Sequence, residues 1–175
     1  VITQTQDMLD SFNAALEGGD VESAAAMFAT DSYWRDLIAV SWNLKTVEGP
    51  AGVADMLRSQ LNHTRPGKFE IQSGEMPGEE GGVITAWITF ETKTGRGWGL
   101  MRIRDGRIWT LLTALQELKG FEENCGTRRP MGAEHGARKN RSSWKECREA
   151  EEVDLGYGTQ PYVLVVGGGQ GGIAL

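Results

Sequence analysis

Three glycines near the end of the chain, Gly167, Gly169 and Gly172, stand at the G-x-G-x-x-G spacing directly after the apolar run Val163-Leu164-Val165-Val166. An apolar strand that breaks into such a turn and then opens a helix presents backbone N–H groups to a pyrophosphate. At that spacing Gly167 makes the tight turn, Gly169 lets the backbone approach the phosphates, and Gly172 lets helix and strand pack closely. A complete dinucleotide-binding unit needs roughly 30 residues, with an acidic residue about 20 positions on for the ribose. The sequence runs only to Leu175. The expectation is the opening of a cofactor site that belongs to a longer parent, with no dinucleotide bound by these residues alone.

A second grouping lies near the start. In an alternating strand Trp34 and Asp36 share a face, which sets a carboxylate beside an indole. With Trp42, Trp98 and Trp109, and with His63, they are the candidates to line a pocket, and a carboxylate withdrawn from water there can serve as a general base. The same residues also read as plain structure: Asp36 accepting hydrogen bonds from Arg35, an indole N–H or the backbone, and the tryptophans filling a core. Trp87 and Phe90 fall in opposite phases of their strand, so they face opposite sides. His63 sits near a helix end, where a cation suits the dipole, and His135 with Glu134 and Arg138 reads as a solvated cluster. No H-x-x-x-H, C-x-x-C or triad-like grouping supports metal or nucleophilic catalysis.

Composition narrows the classes further. A formal net charge of −6 and a pI near 5.0 argue against a nucleic-acid surface, which needs a basic footprint. No apolar run approaches the roughly 18 residues of a membrane span. Cys125 and Cys147 are too few and too far apart for a disulfide framework, so free thiols and a cytoplasmic setting are expected.

The elements that must carry these groups can be read from periodicity. Thr3-Gln4-Thr5-Gln6 has the capping-box pattern, and Met8, Phe12 and Leu16 recur on one helical face. Gly18-Gly19 ends that helix, and Asp20 caps a second one bearing Val21, Ala24, Ala25 and Phe28. Short strands are expected at Ser32–Asp36 and Trp42–Glu48, and a third helix from Gly49-Pro50 buries Val53, Met56, Leu57 and Leu61. From Lys68 the period becomes two. Val83–Thr92, Trp98–Arg104 and Arg107–Leu115 read as three antiparallel strands, with Asp105-Gly106 as a two-residue hairpin turn. Residues 74–82 read as a polar loop, and Ser142 or Ser143 can cap one helix in a polar, glycine-dotted stretch that ends at Gly156.

Helices on a strongly bent, mostly antiparallel sheet make an α+β fold. Phe12-Asn13-Ala14-Ala15-Leu16-Glu17-Gly18-Gly19-Asp20, Trp34-Arg35-Asp36 and Val47-Glu48-Gly49 resemble the nuclear transport factor two-like cone fold of ketosteroid isomerase, scytalone dehydratase and polyketide cyclases. In that fold three N-terminal helices pack on the bent sheet. Leu118–Glu123, Arg128-Arg129-Pro130, Glu134-His135-Gly136 and Thr159–Tyr162, leading into the glycine run, resemble the front end of flavin-containing monooxygenase-type oxidoreductases. That pair of resemblances implies a cone domain at 1–118, a connector with one short helix at 119–160 and the first strand of a truncated Rossmann unit at 161–175. It implies FAD and NAD(P)H in the parent, where Gly167, Gly169 and Gly172 would hold FAD, and a non-catalytic assembly or access role for the cone. A homodimer through the outer face of the sheet is also implied. The alternative is an autonomous isomerase-, dehydratase- or cyclase-like enzyme, or small-ligand binder, with a tryptophan-lined pocket and Asp36 as its base.

Overall fold

The computed structural model describes residues 1–129, 141–160 and 165–171. The chain divides into two compact units, Val1–Arg129 and Pro130–Leu175. The first unit opens with α1 (Ile2–Glu17), whose buried stripe is Thr5, Leu9, Phe12, Ala15 and Leu16. Its N-cap is Val1, without a side-chain cap, so the Thr3–Gln6 capping box is not used. Gly19 takes a left-handed conformation (φ 71°) that reverses the chain. Asp20 then accepts from the Ser23 amide at 3.0 Å and caps α2 (Val21–Ala26), as the Asp-x-x-Ser pattern allows.

The sheet order is β2-β1-β7-β6-β5-β3, with a short β4 (Gly78–Glu80) on β5 inside the stretch expected to be a loop. β1 (Phe28–Leu37) and β2 (Leu44–Glu48) precede α3 (Gly49–Thr64), so the third helix follows two strands rather than standing ahead of the sheet. β3 (Gly67–Ile71), β5 (Val83–Glu91), β6 (Gly95–Arg104) and β7 (Arg107–Leu118) complete it. The sheet is mixed: β1 runs parallel to β7, while the other pairs are antiparallel. Asp105 and Gly106, at φ 52° and 70°, form the tight β6–β7 turn. Register shifts opposite Arg96–Gly97 and Arg102–Ile103 leave Gln116 and Trp109 as extra residues of β7, bulges that increase local twist and bending.

The concave side of this sheet is filled. Phe12 lies 5.2 Å from Phe69, 5.9 Å from Phe28 and 6.0 Å from Trp34, ring centre to ring centre. Phe28 stacks on Trp34 and Phe69 on Phe90, and all five rings are fully or almost fully buried. α1 is pinned to the sheet edge by Asn13. Its amide donates to Phe69 O (2.9 Å) and accepts from Phe69 N (2.8 Å) where β3 slips register against β5. The side chain thus replaces a missing ladder partner. Beyond β7, Lys119 N donates to Thr94 O, and Glu122 pairs with Arg96 at 3.0 Å.

In the second unit α4 (Trp144–Asp154) starts with a capping box between Ser143 and Glu146, and Arg148 lies over the Trp144 ring. Cys125 and Cys147 are free and exposed. Among the described residues no helix is long and apolar enough to cross a membrane. The expected strand before the glycine run falls on residues 161–164, outside the described residues, as does Gly172. Val165, Val166, Gly167 and Gly169 carry no strand. The Rossmann start expected there does not appear among the described residues.

Candidate functional site

Trp34 and Asp36 lie on the inward face of β1, both fully buried. The parallel pairing with β7 sets Asp36 opposite Thr113. The Thr113 hydroxyl donates to Asp36 Oδ1 at 2.7 Å and accepts the Trp34 indole N–H at 2.9 Å, so the indole reaches the carboxylate through one hydroxyl. Such a chain polarises each of its bonds in a dry interior. Arg35, expected as a partner, points the other way and donates to Thr46.

The remaining donors come from the segment between β1 and β2, which folds back over the carboxylate. Ile38 N donates to Asn43 O and closes the loop. The Val40 amide donates to both carboxylate oxygens at 3.1 Å. The Ser41 amide and hydroxyl each reach Oδ2 at 2.7 Å. Every donor is neutral, so the charge is held by dipoles and not by a cation. Two non-glycine residues of this cap, Ile38 (φ 54°) and Trp42 (φ 53°), sit in the left-handed region. For a β-branched isoleucine that conformation is costly, and such strain collects at clamps and switch segments. Val40 is fully buried under the cap, while Ile38 and Trp42 are exposed.

The five pocket candidates do not meet. Trp34 and Asp36 are joined through Thr113. Trp42 projects from the cap and is 54% exposed. Trp98 faces away from the core on β6, with its ring 5.4 Å from that of Trp87, and both border a shallow cleft of about 560 Å³ with Gln72, Glu75 and Gln116. Trp109 carries the Arg104 guanidinium over its ring at 4.5 Å. Trp87 and Phe90 do occupy opposite faces, Phe90 in the core and Trp87 outside. His63 is an exposed residue in the last turn of α3. Thr113 and the cap donors escaped sequence reasoning, because nothing local marks a threonine 77 residues away as the partner of Asp36.

A buried carboxylate bridged to an indole and roofed by a short cap, at the end of a cone-like sheet, is the arrangement to compare with known proteins. Residues 9–111 match the SnoaL-like domain family. The chain belongs to that family. Its fold is also that of a domain of unknown function with a cystatin-like fold from Nostoc punctiforme (14% identity over 66% of this chain and 76% of that one, TM-score 0.54). A protein of unknown function from Mycobacterium tuberculosis is similar at 16% identity over 68% and 73%, TM-score 0.53. An M. tuberculosis LEH-like epoxide hydrolase matches at 20% identity over 66% and 84%, with a TM-score of 0.43. No curated protein matches the sequence.

The SnoaL-like family match corrects the expectation of a flavoprotein oxidoreductase. The family that matches residues 9–111 is a SnoaL-like domain and not an oxidoreductase, monooxygenase or FAD- or NADP-dependent family. That reading had rested on the glycine spacing and on the segments from Leu118 to Tyr162, and a glycine spacing is by itself a weak signal for a dinucleotide site.

Proposed function

We propose that this SnoaL-like domain binds a small apolar carbonyl compound and moves a proton on it, with Asp36 as the base. The observation that carries the reading is a fully buried carboxylate without a cationic partner, under a cap that holds two strained residues. Burying a charge is expensive, and a fold pays for it most readily at a working site. Three of the four donors to Asp36, namely Val40 N, Ser41 N and Ser41 Oγ, belong to the cap. When the cap lifts, Asp36 keeps only Thr113 and becomes a stronger acceptor in an apolar space that Val40 has vacated. It then takes a proton from the carbon beside the carbonyl. The C–H electron pair moves into the enolate, and the same carboxyl returns the proton to the distal carbon, so the double bond shifts with no redox change.

The test is the conversion of the β,γ-unsaturated isomer of cyclohexenone to its conjugated form, followed by ultraviolet absorbance. The chain should accelerate it, and Asp36→Asn should slow the catalysed rate by about a hundredfold, a usual share for a general base. Equal rates for the two proteins would sink the reading. A second reading is favoured by the packed interior: Asp36 as a structural hub with a permanent cap. Amide exchange separates the two, since a working cap frees the Val40 and Ser41 amides far faster than global unfolding does.

The partner reading is a homodimer through the outer face of the sheet. Cross-strand registers align Trp87, Leu100 and Leu112 in one row and Trp98, Ala114 and Leu37 in another. Of these, Trp87, Trp98, Leu100 and Leu112 face out of the sheet and offer apolar area of the kind that marks association sites. Sedimentation velocity should report a dimer, and Trp98→Glu should give a folded monomer. A monomeric parent chain at high concentration would overturn this.

A further inference from the structure

A separate cleft of about 590 Å³ opens where α1 and α3 end. Four cations line it, Arg65, Lys68, Lys93 and Lys119, against two carboxylates, Glu17 and Glu91. In a chain of net charge −6 this is a reversal of local sign, and a lined cleft concentrates such a field. The cations come from three chain segments, and backbone bonds hold those segments together. Arg65, in the left-handed region at φ 45°, caps α3 through its amide to Leu61 O. Lys93 N donates to Thr64 O at 2.7 Å, tying the β5–β6 turn to the end of α3. Lys119 Nζ donates to Thr92 O at 2.7 Å and to Glu91 at 2.9 Å, and Lys68 reaches the same carboxylate at 3.1 Å. Lys119 and Lys68 hold the Glu91 carboxyl below its usual range, so it stays ionised and occupies those two lysines. Among the described residues Arg65 and Lys93 enter none of the ion pairs. The negative ends of α1 and α3 draw on part of the positive field, which makes the cleft a weak seat for a bare inorganic anion. Leu16 and Leu61 supply apolar surface beside the cations.

We propose that this cleft binds a small amphipathic organic anion, its carboxylate or phosphate held by Arg65 and Lys93 and its apolar part resting on Leu16 and Leu61. The cleft volume falls within the range of small-molecule sites, and combining an apolar floor with few charged contacts is how such sites obtain both affinity and orientation. This site is distinct from the Asp36 site, and neither proposal depends on the other.

The experiment is calorimetric titration of the full chain with octyl phosphate, inorganic phosphate and octanol. Octyl phosphate should bind saturably, weaken as salt is added, and bind more tightly than either of the others. Arg65→Asn with Lys93→Gln should weaken it by about tenfold, as expected for losing two exposed charge-assisted contacts. Asparagine is chosen because it tolerates the left-handed conformation at that position. Lys45→Gln on β2, at the opposite edge of the sheet, should leave binding unchanged, and a thermal melt confirms that each variant is folded. No saturable binding, equal affinity for octanol, or a double variant that binds like the parent overturns the proposal.

Discussion

Gly99→Ala is expected to cost about 3–5 kcal/mol, a large share of the 5–15 kcal/mol that holds a typical domain together. Gly99 faces the concave side of β6, paired with Thr113 of β7. A Cβ built there would collide with the Leu112 carbonyl oxygen and press on Ile88. A flexible side-chain tip could move aside, but a ladder carbonyl cannot turn away without breaking its strand pairing. The same holds two residues earlier, where a Cβ on Gly97 would meet Ala114 O at 2.5 Å as well as the Phe90 ring. The two glycines sit beside the bulge opposite Arg96–Gly97, where β6 and β7 crowd together as the sheet bends. Gly78→Ala is the control: nothing lies within 4 Å of its Cβ position, and its effect should stay within about 0.5 kcal/mol. Urea midpoints followed by circular dichroism compare the two. A Gly99→Ala chain as stable as the Gly78→Ala chain would show that the β6–β7 contact is not close.

Asp36→Ala is expected to destabilise the domain by about 3–5 kcal/mol, the range seen when one partner of a buried polar network is removed. The substitution strands the Thr113 hydroxyl proton and the Val40 and Ser41 amides, while the Ser41 hydroxyl keeps only Asn43 O. It also releases a cap whose strained Ile38 and Trp42 depend on those bonds to stay in place. Asp36→Asn should cost less, since the amide keeps one acceptor oxygen in the same volume, and it is therefore the better variant for measuring activity. Thermal melts of both proteins make the comparison. A Asp36→Ala chain that loses less than about 1 kcal/mol would mean that the cap is held by the packing of Val40 and not by the carboxylate.

Some of this architecture was legible residue by residue. The stripe of Phe12 and Leu16, the Asp20 cap, the Asp105-Gly106 turn and the shared face of Trp34 and Asp36 all express rules that act within a few residues of chain. The capping box at Thr3 misled because the helix begins two residues earlier, with Val1 as its N-cap and no side-chain cap. The tryptophans misled for a different reason. Alternation predicts which residues share a face, but not which face is the core, so Trp98 belongs to the outer surface while Trp34 belongs to the interior.

The sequence by itself determined the α+β class, the Asp20 and Ser143 caps, the Asp105-Gly106 turn, and the placing of an indole and a carboxylate on one strand face, because each depends on local backbone preference or on period. Only the tertiary structure decided that β1 lies parallel to β7, that Thr113 therefore meets Asp36, and that residues 38–43 close over it. Those contacts join positions up to 77 residues apart. They are selected by which packing buries the most apolar surface while leaving no polar group unpaired, a balance struck over the whole domain and written in no single segment.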